Sequence, residues 1–181
     1  ITQITGIIES VHTLLPHNLI NMIGSYFDKF DEISHRYQAV SPIFTTEKLY
    51  VACCGLFDFE DNPVEQALQA VLFALDISEQ LKVINKEFET NFQVNTEINF
   101  GGPLFGCVLD SQVPQFNIYG LIYDQAINLI YGEEPGIIEI SQSIRDLIAN
   151  DQRFDIKPIS EQNKDFQFYQ LYSVTKSASQ S

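Results

Sequence analysis

Residues 43–54 hold two apolar, β-prone runs, Ile43-Phe44 and Leu49-Tyr50-Val51-Ala52-Cys53-Cys54, parted by the polar break Thr45-Thr46-Glu47-Lys48. So short a break joins only neighbouring antiparallel strands, because parallel strands need a crossover of a dozen or more residues. The chain is therefore expected to build hairpins and not a doubly wound parallel sheet. Residues 18–33 place Leu19, Ile20, Ile23, Phe27, Phe30 and Ile33 at helical spacing, with Asn18 as the expected N-cap after Pro16. Pro63 opens a second helix after Asp61 and Asn62, and Leu68, Leu72, Leu75, Ile77, Leu81 and Ile84 carry its apolar side.

Residues 92–100 alternate as a strand, Gly101-Gly102-Pro103 reads as a turn, and residues 104–109 as the returning strand. Residues 116–131 read as a helix entered through Gly120, on the evidence of Ala126, Leu129 and Ile130. A short strand over 137–140 follows, then a helix capped by Ser141, and a closing hairpin from residues 153–159 and 166–174. This order predicts an α+β domain, an antiparallel sheet with helices packed on it, over residues 1–175, with 176–181 as a polar tail.

Composition narrows the partners. The chain carries 24 Asp+Glu against 10 Lys+Arg, a net charge of −14. A surface this negative repels phosphate backbones and anionic headgroups, so neither nucleic acid nor a membrane surface is expected as a partner. A nucleoside triphosphate needs metal ions or a local cluster of cations to enter such a field. Cys53, Cys54 and Cys107 show no zinc-ligand spacing, and an odd count inside apolar runs predicts buried, reduced thiols in a cytoplasmic setting. No apolar stretch reaches membrane-spanning length. The start at Ile1 is read as a piece of a larger protein, whose parent can be membrane-bound with this segment as its intracellular domain.

Two segments carry a resemblance. "VSPIFTTEKLYVACCGLF", residues 40–57, is similar to a hairpin of pattern K-I-K-T-I-G-D-A-Y-M-A-x-x-G-L, with Tyr50, Ala52, Gly55 and Leu56 in register. Residues 95–148 are similar to R-I-G-I-H-T-G-P-V-x-A-G-V-x-G, then P-x-Y-D-x-x-G-x-x-V-N-x-A-S-R-M, then G-x-P-G-x-I-x-V-S. Gly102-Pro103, Gly106, Pro114, Gly120, Ala126, Pro135, Gly136 and Ser141 keep that spacing. "SYFDKFDEI", residues 25–33, fits the first helix of the same pattern. The chain thus resembles the catalytic domain of class III adenylyl and guanylyl cyclases, in a divergent protist-like form. That resemblance implies a ferredoxin-like antiparallel sheet, and it implies that the chain begins inside the first strand, at Ile1-Thr2-Gln3-Ile4-Thr5-Gly6.

The resemblance also implies a site shared between two paired domains, with two carboxylates holding two Mg²⁺ or Mn²⁺ ions and cations facing the phosphates of ATP or GTP. The metal positions fall on Gln3 and Lys48, with Glu47 as the alternative ligand if the hairpin slips by one residue. The base-selecting positions fall on Phe44 and Asn117, the catalytic Asn and Arg on Asp124 and Asn128, and the late phosphate-binding Lys on Glu161 with Lys164 nearby. All of these positions differ from the family pattern. A lysine repels a metal, and neutral or acidic groups cannot replace a phosphate-binding arginine. Each lost group costs roughly 3 kcal/mol of transition-state stabilisation, about a hundredfold in rate.

The remaining polar features have plainer readings. Asp58, Glu60 and Asp61 read as a solvated loop. Gly101-Gly102 lacks the Lys-Ser/Thr of a phosphate cradle, and His12, His17 and His35 have no partner at ligand spacing. The expected function is a degenerate cyclase-homology domain that pairs with itself or with another cyclase domain and regulates it, with no bound cofactor. Two alternatives stand beside it. One is an active or half-site cyclase using Mg²⁺ or Mn²⁺. The other is a nucleotide sensor without turnover, contacting base or ribose through Asn117, Asp124 and Asn128.

Overall fold

The computed structural model describes residues 1–7, 14–55, 62–109, 112, 114–130, 135–159 and 171–177. Strand β1 (Thr2–Thr5) leads to helix α1 (Pro16–Ser34), the hairpin β2 (Val40–Thr45) and β3 (Leu49–Cys54), then α2 (Pro63–Phe88) and β4 (Gln93–Ile98). Next come β5 (Phe105–Leu109), β6 (Gln115–Tyr119), α3 (Leu121–Ile130), β7 (Ile138–Ser141), α4 (Gln142–Ile148), β8 (Phe154–Pro158) and β9 (Leu171–Lys176). The main sheet has seven strands in the order β2-β3-β1-β4-β7-β9-β8, and β5 and β6 form a separate two-stranded arm. The β2-β3-β1-β4 portion is antiparallel throughout, the ferredoxin-like arrangement that the resemblance implied.

Two apolar clusters hold α1, α2 and α4 to one face of the sheet. In the first, Leu19, Met22, Tyr26, Phe30 and Ile33 of α1 meet Ile4, Tyr50 and Val94 of the strands and Phe73 and Ile77 of α2. In the second, Val71 and Ala74 of α2 meet Ile138 and Ile140 of β7 and Ile144 and Ile148 of α4. The helix α2 is buried along two stripes because it serves both clusters. Tyr50, at the centre, also donates its hydroxyl to Asp31 at 2.7 Å.

Several sequence expectations need correction. Helix α1 starts at Pro16 with Leu15 in the N-cap position, so Asn18 lies inside the first turn and is no cap. Ile20 faces solvent, and Met22 and Tyr26 carry the buried stripe instead. The strand from residue 105 does not fold back on β4. It pairs with Gln115–Tyr119, which is strand and not the start of a helix. Strand β4 instead takes β7 as a parallel neighbour, a crossover that makes the sheet mixed. Strand β9 runs through Lys176, one residue into the segment read as a tail, and Ser177 still donates its amide to Arg153 O at 2.8 Å. Residues 166–170 of the expected closing strand lie outside the described residues. Other signals hold: Pro63 opens α2, where Asn62 serves as cap by accepting from Glu65 N at 3.1 Å, and Ser141 caps α4 as expected.

One polar hub was not legible in the sequence. Asn85, near the end of α2, accepts from Tyr26 Oη at 3.0 Å and Phe92 N at 3.1 Å, and donates to Phe92 O at 2.7 Å. It thereby ties the end of α2 to the entry of β4 and to the buried side of α1. Asn85→Ala strands these donors and acceptors, and is expected to cost about 2 kcal/mol. The check is urea unfolding: the midpoint falls with an unchanged slope. An unchanged midpoint would remove the hub from the account.

Candidate functional site

Strand β1 lies between β3 and β4, and its register sets the first group of residues. Gln3 opposes Leu49 on one side and Asn95 on the other, and is buried. Lys48 comes just before β3, and its carbonyl accepts from Ile4 N at 2.8 Å. Gln3 and Lys48 are therefore on adjacent chain segments within one residue of each other along the ladder. The turn into β3 is closed by Thr46 N donating to Leu49 O at 2.9 Å and Leu49 N to Thr46 Oγ1 at 3.2 Å. Glu47 sits exposed on this turn.

Gln3 and Asn95 point to the sheet face opposite α1 and α2, since Ile4 and Val94 point into the cluster beneath those helices. Asn95 Oδ1 accepts Gly136 N at 2.7 Å, which holds the chain entering β7. Gly136 has φ 90°, a backbone region open mainly to glycine. Further along this face Glu97 and Glu139 oppose each other across the parallel β4–β7 pair, both buried. Sequence reasoning passed over this pair, because nothing local in the sequence sets residues 97 and 139 side by side.

A second group gathers where β2 approaches α3. Phe44, half-buried beside an irregularity in the β2–β3 ladder, meets Tyr123 edge-on with ring centroids 6.4 Å apart. Asp124 and Asn128 are one helical turn apart on α3 and both exposed. Asn117 is half-buried on β6 opposite Cys107. The start of α3 is fixed by a close approach: a Cβ on Gly120 would lie 2.6 Å from Pro103 O. Glu161 and Lys164 lie outside the described residues.

These donors do not fit a divalent metal. Gln3 offers a neutral amide and Lys48 a cation at the positions where the resemblance implies two carboxylates. Among the described residues no group of three or more His, Cys, Asp or Glu could hold a metal ion. No helix among them is long and apolar enough to cross a membrane. Cys53, Cys54 and Cys107 are free thiols and half-buried; burial pushes the Cys54 thiol up to about 12, so it is a poor nucleophile.

The arm β5–β6 adds a feature that sequence reasoning captured only in part. Phe105 and Tyr119 are directly cross-strand, so they share one face of the arm, and they are 60% and 50% exposed. Leu121, at 70%, follows immediately. Leu49, at the start of β3, is by contrast buried in the sheet.

Comparison with known proteins decides the family. Residues 1–165 match the profile of the adenylate and guanylate cyclase catalytic domain. The chain belongs to that family. This cyclase domain is 25% identical over 148 residues to the germination-specific adenylate cyclase of Dictyostelium discoideum, covering 81% of this chain and 17% of that protein. It is 22% identical over 151 residues to the receptor-type guanylate cyclase gcy-8 of Caenorhabditis elegans, covering 83% of this chain and 13% of that protein. The domain thus spans less than a fifth of either curated relative. Among solved structures, the guanylate cyclase domain of RhGC from Catenaria anguillulae, in complex with GTP, superposes with a TM-score of 0.79 at 23% identity, over 97% of this chain and 93% of that one. The α+β cyclase fold is thereby established for this domain.

Proposed function

We propose that this domain is a degenerate cyclase-homology domain of a cyclic-nucleotide signalling protein, acting by pairing and regulation and not by turnover. The observation that carries the reading is the Gln3–Lys48 neighbourhood. An amide and an ammonium occupy the place where the family resemblance requires two metal-holding carboxylates, and Asn128 stands where it requires the phosphate-binding arginine. A two-metal mechanism has nothing to anchor it there. The net charge of −14 adds repulsion against a triphosphate.

The pairing half of the reading rests on the arm. Phe105, Tyr119 and Leu121 form an exposed apolar surface, which is a liability on a free monomer and an asset under a partner. Asn117 shares the face of Phe105 and Tyr119, so the position assigned to base selection lies on the same surface. The partner is a second copy of this domain or another cyclase domain. The setting that fits reduced thiols is cytoplasmic, including the intracellular part of a membrane-bound parent.

Two outcomes follow. The purified domain, given ATP or GTP with Mg²⁺ or Mn²⁺, is expected to yield no cyclic AMP or cyclic GMP above background by chromatographic assay; steady product formation would overturn the reading. In light scattering across concentration, alone and with a cyclase domain, Phe105→Asp and Tyr119→Asp are expected to weaken association at least tenfold, about 1.4 kcal/mol, with an unchanged melting temperature. A strict monomer that pairs with no cyclase domain would remove the pairing role.

A further inference from the structure

Among the described residues the main sheet has a single parallel junction, β4 with β7. It joins the antiparallel β2-β3-β1-β4 half to the antiparallel β7-β9-β8 half. Glu97 and Glu139 are direct partners in this junction. Ile138 and Ile140, on either side of Glu139, pack beneath α2 and α4. Glu139 therefore points to the opposite face of the sheet, and its partner Glu97 points there with it. Each is only 2% exposed, and they are the two buried carboxylates among the described residues. Helix α3 packs against β4 beside them.

Neighbouring strands lie about 4.8 Å apart. Two ionised carboxylates at that spacing, both taken out of water, carry a desolvation cost and a mutual repulsion that one retained proton removes. A protonated carboxyl donates and an ionised one accepts, so the pair can close a short charge-assisted hydrogen bond. The charged and titratable groups around the pair come from four elements. At the start of β1, Ile1 N donates to Glu97 O at 2.9 Å; burial lowers the pKa of this ammonium and the Glu97 charge raises it in part. On β9, the neutral Ser173 opposes Glu139. Beyond it on β8 stands Lys157, exposed and bonded to Asp155 at 2.8 Å. Helix α3 brings Tyr123 and Asp124. With the Ile1 ammonium charged, one negative charge on the pair balances it, and a second is in excess.

We propose that Glu97 and Glu139 hold one proton between them in the folded domain, and that this shared proton makes the β4–β7 seam a pH-sensitive joint between the two halves of the sheet. In the unfolded chain both glutamates are ordinary, and each gives up its proton near pH 4.3, about the value of a free glutamate. The folded pair keeps one proton above that range. Unfolding then releases a proton, so stability falls as pH rises, from just above the ordinary carboxylate range until the pair itself ionises fully. At that point two like charges stand side by side in the seam, and β4 and β7 separate more readily. The inference holds whether or not the domain turns over nucleotide.

The test follows urea unfolding of the native domain, Glu139→Gln and Glu97→Gln from about pH 5 to about pH 8. A glutamine amide donates to the remaining carboxylate, so each variant keeps the contact without the titrating proton. The unfolding constant of the native domain is expected to rise relative to that of either variant, approaching about tenfold per pH unit. Amide exchange at Thr96, whose N donates to Ile137 O at 3.0 Å across the seam, is expected to be at least tenfold faster in the native domain than in Glu139→Gln at the upper end of that range. A ratio of unfolding constants that stays flat with pH, or moves the other way, would overturn the proposal. So would equal exchange at Thr96 beside a pH-dependent ratio, since the proton would then lie outside the seam. Where neither variant folds, infrared spectroscopy of the native domain decides: a protonated-carboxyl stretch persisting at neutral pH supports the shared proton, and its absence overturns it.

Discussion

The antiparallel pairing of β1 with both β3 and β4 is the constraint on which the rest of the structure depends. Ile4 on one face of β1 enters the cluster under α1 and α2, and Gln3 on the other face lies between Leu49 and Asn95. A slip of one residue would exchange these faces, putting an amide into the apolar cluster and an isoleucine among polar neighbours. The core therefore sets the site: the register that buries Ile4 also brings Gln3 next to Lys48. Core packing alone accounts for the persistence of this geometry, whether or not any chemistry is done there.

On the function proposed above, fold and chemistry have separated in this chain. The features that shape the backbone remain, among them Gly120 pressed against Pro103 and Gly136 at positive φ. The side chains that the family resemblance implies would carry charge to a metal or a triphosphate do not, by the assignment of those positions to Gln3, Lys48 and Asn128. Phe44 illustrates the change: at the place where the family resemblance assigns a base-selecting lysine, the side chain packs edge-on against Tyr123. Such replacements trade a solvated cation for buried apolar contact, which favours covering the surface over opening it to a nucleotide.

Local signals with a direct mechanism were legible in the sequence. The Thr45–Lys48 break made a hairpin, Pro63 opened its helix and Ser141 capped another, because turns and helix starts depend on residues close in sequence. Long-range pairing was not. Gly101-Gly102-Pro103 reads locally as a hairpin turn, yet the chain leaves the sheet there, because β4 gains a buried parallel neighbour in β7. Residues 115–119 were absorbed into the following helix for the same reason: their strand character depends on a partner, β5, and five residues carry too little periodicity to show it. Asn85 and the Glu97–Glu139 pair escaped notice since a polar residue's local sequence does not reveal the distant partners that burial brings to it. The site positions themselves were readable only through resemblance to a family; spacing and composition alone would have left Gln3 and Lys48 as ordinary strand and turn residues.

The most direct measurement is manganese binding, followed by electron paramagnetic resonance, for the native domain and for the Gln3→Asp, Lys48→Asp double variant. The account predicts that the free-ion signal is undiminished by the native domain and is lost on adding the variant, in which two carboxylates stand side by side again. Stoichiometric binding by the native domain, with no gain in the variant, would contradict it and place the metal chemistry elsewhere in the molecule.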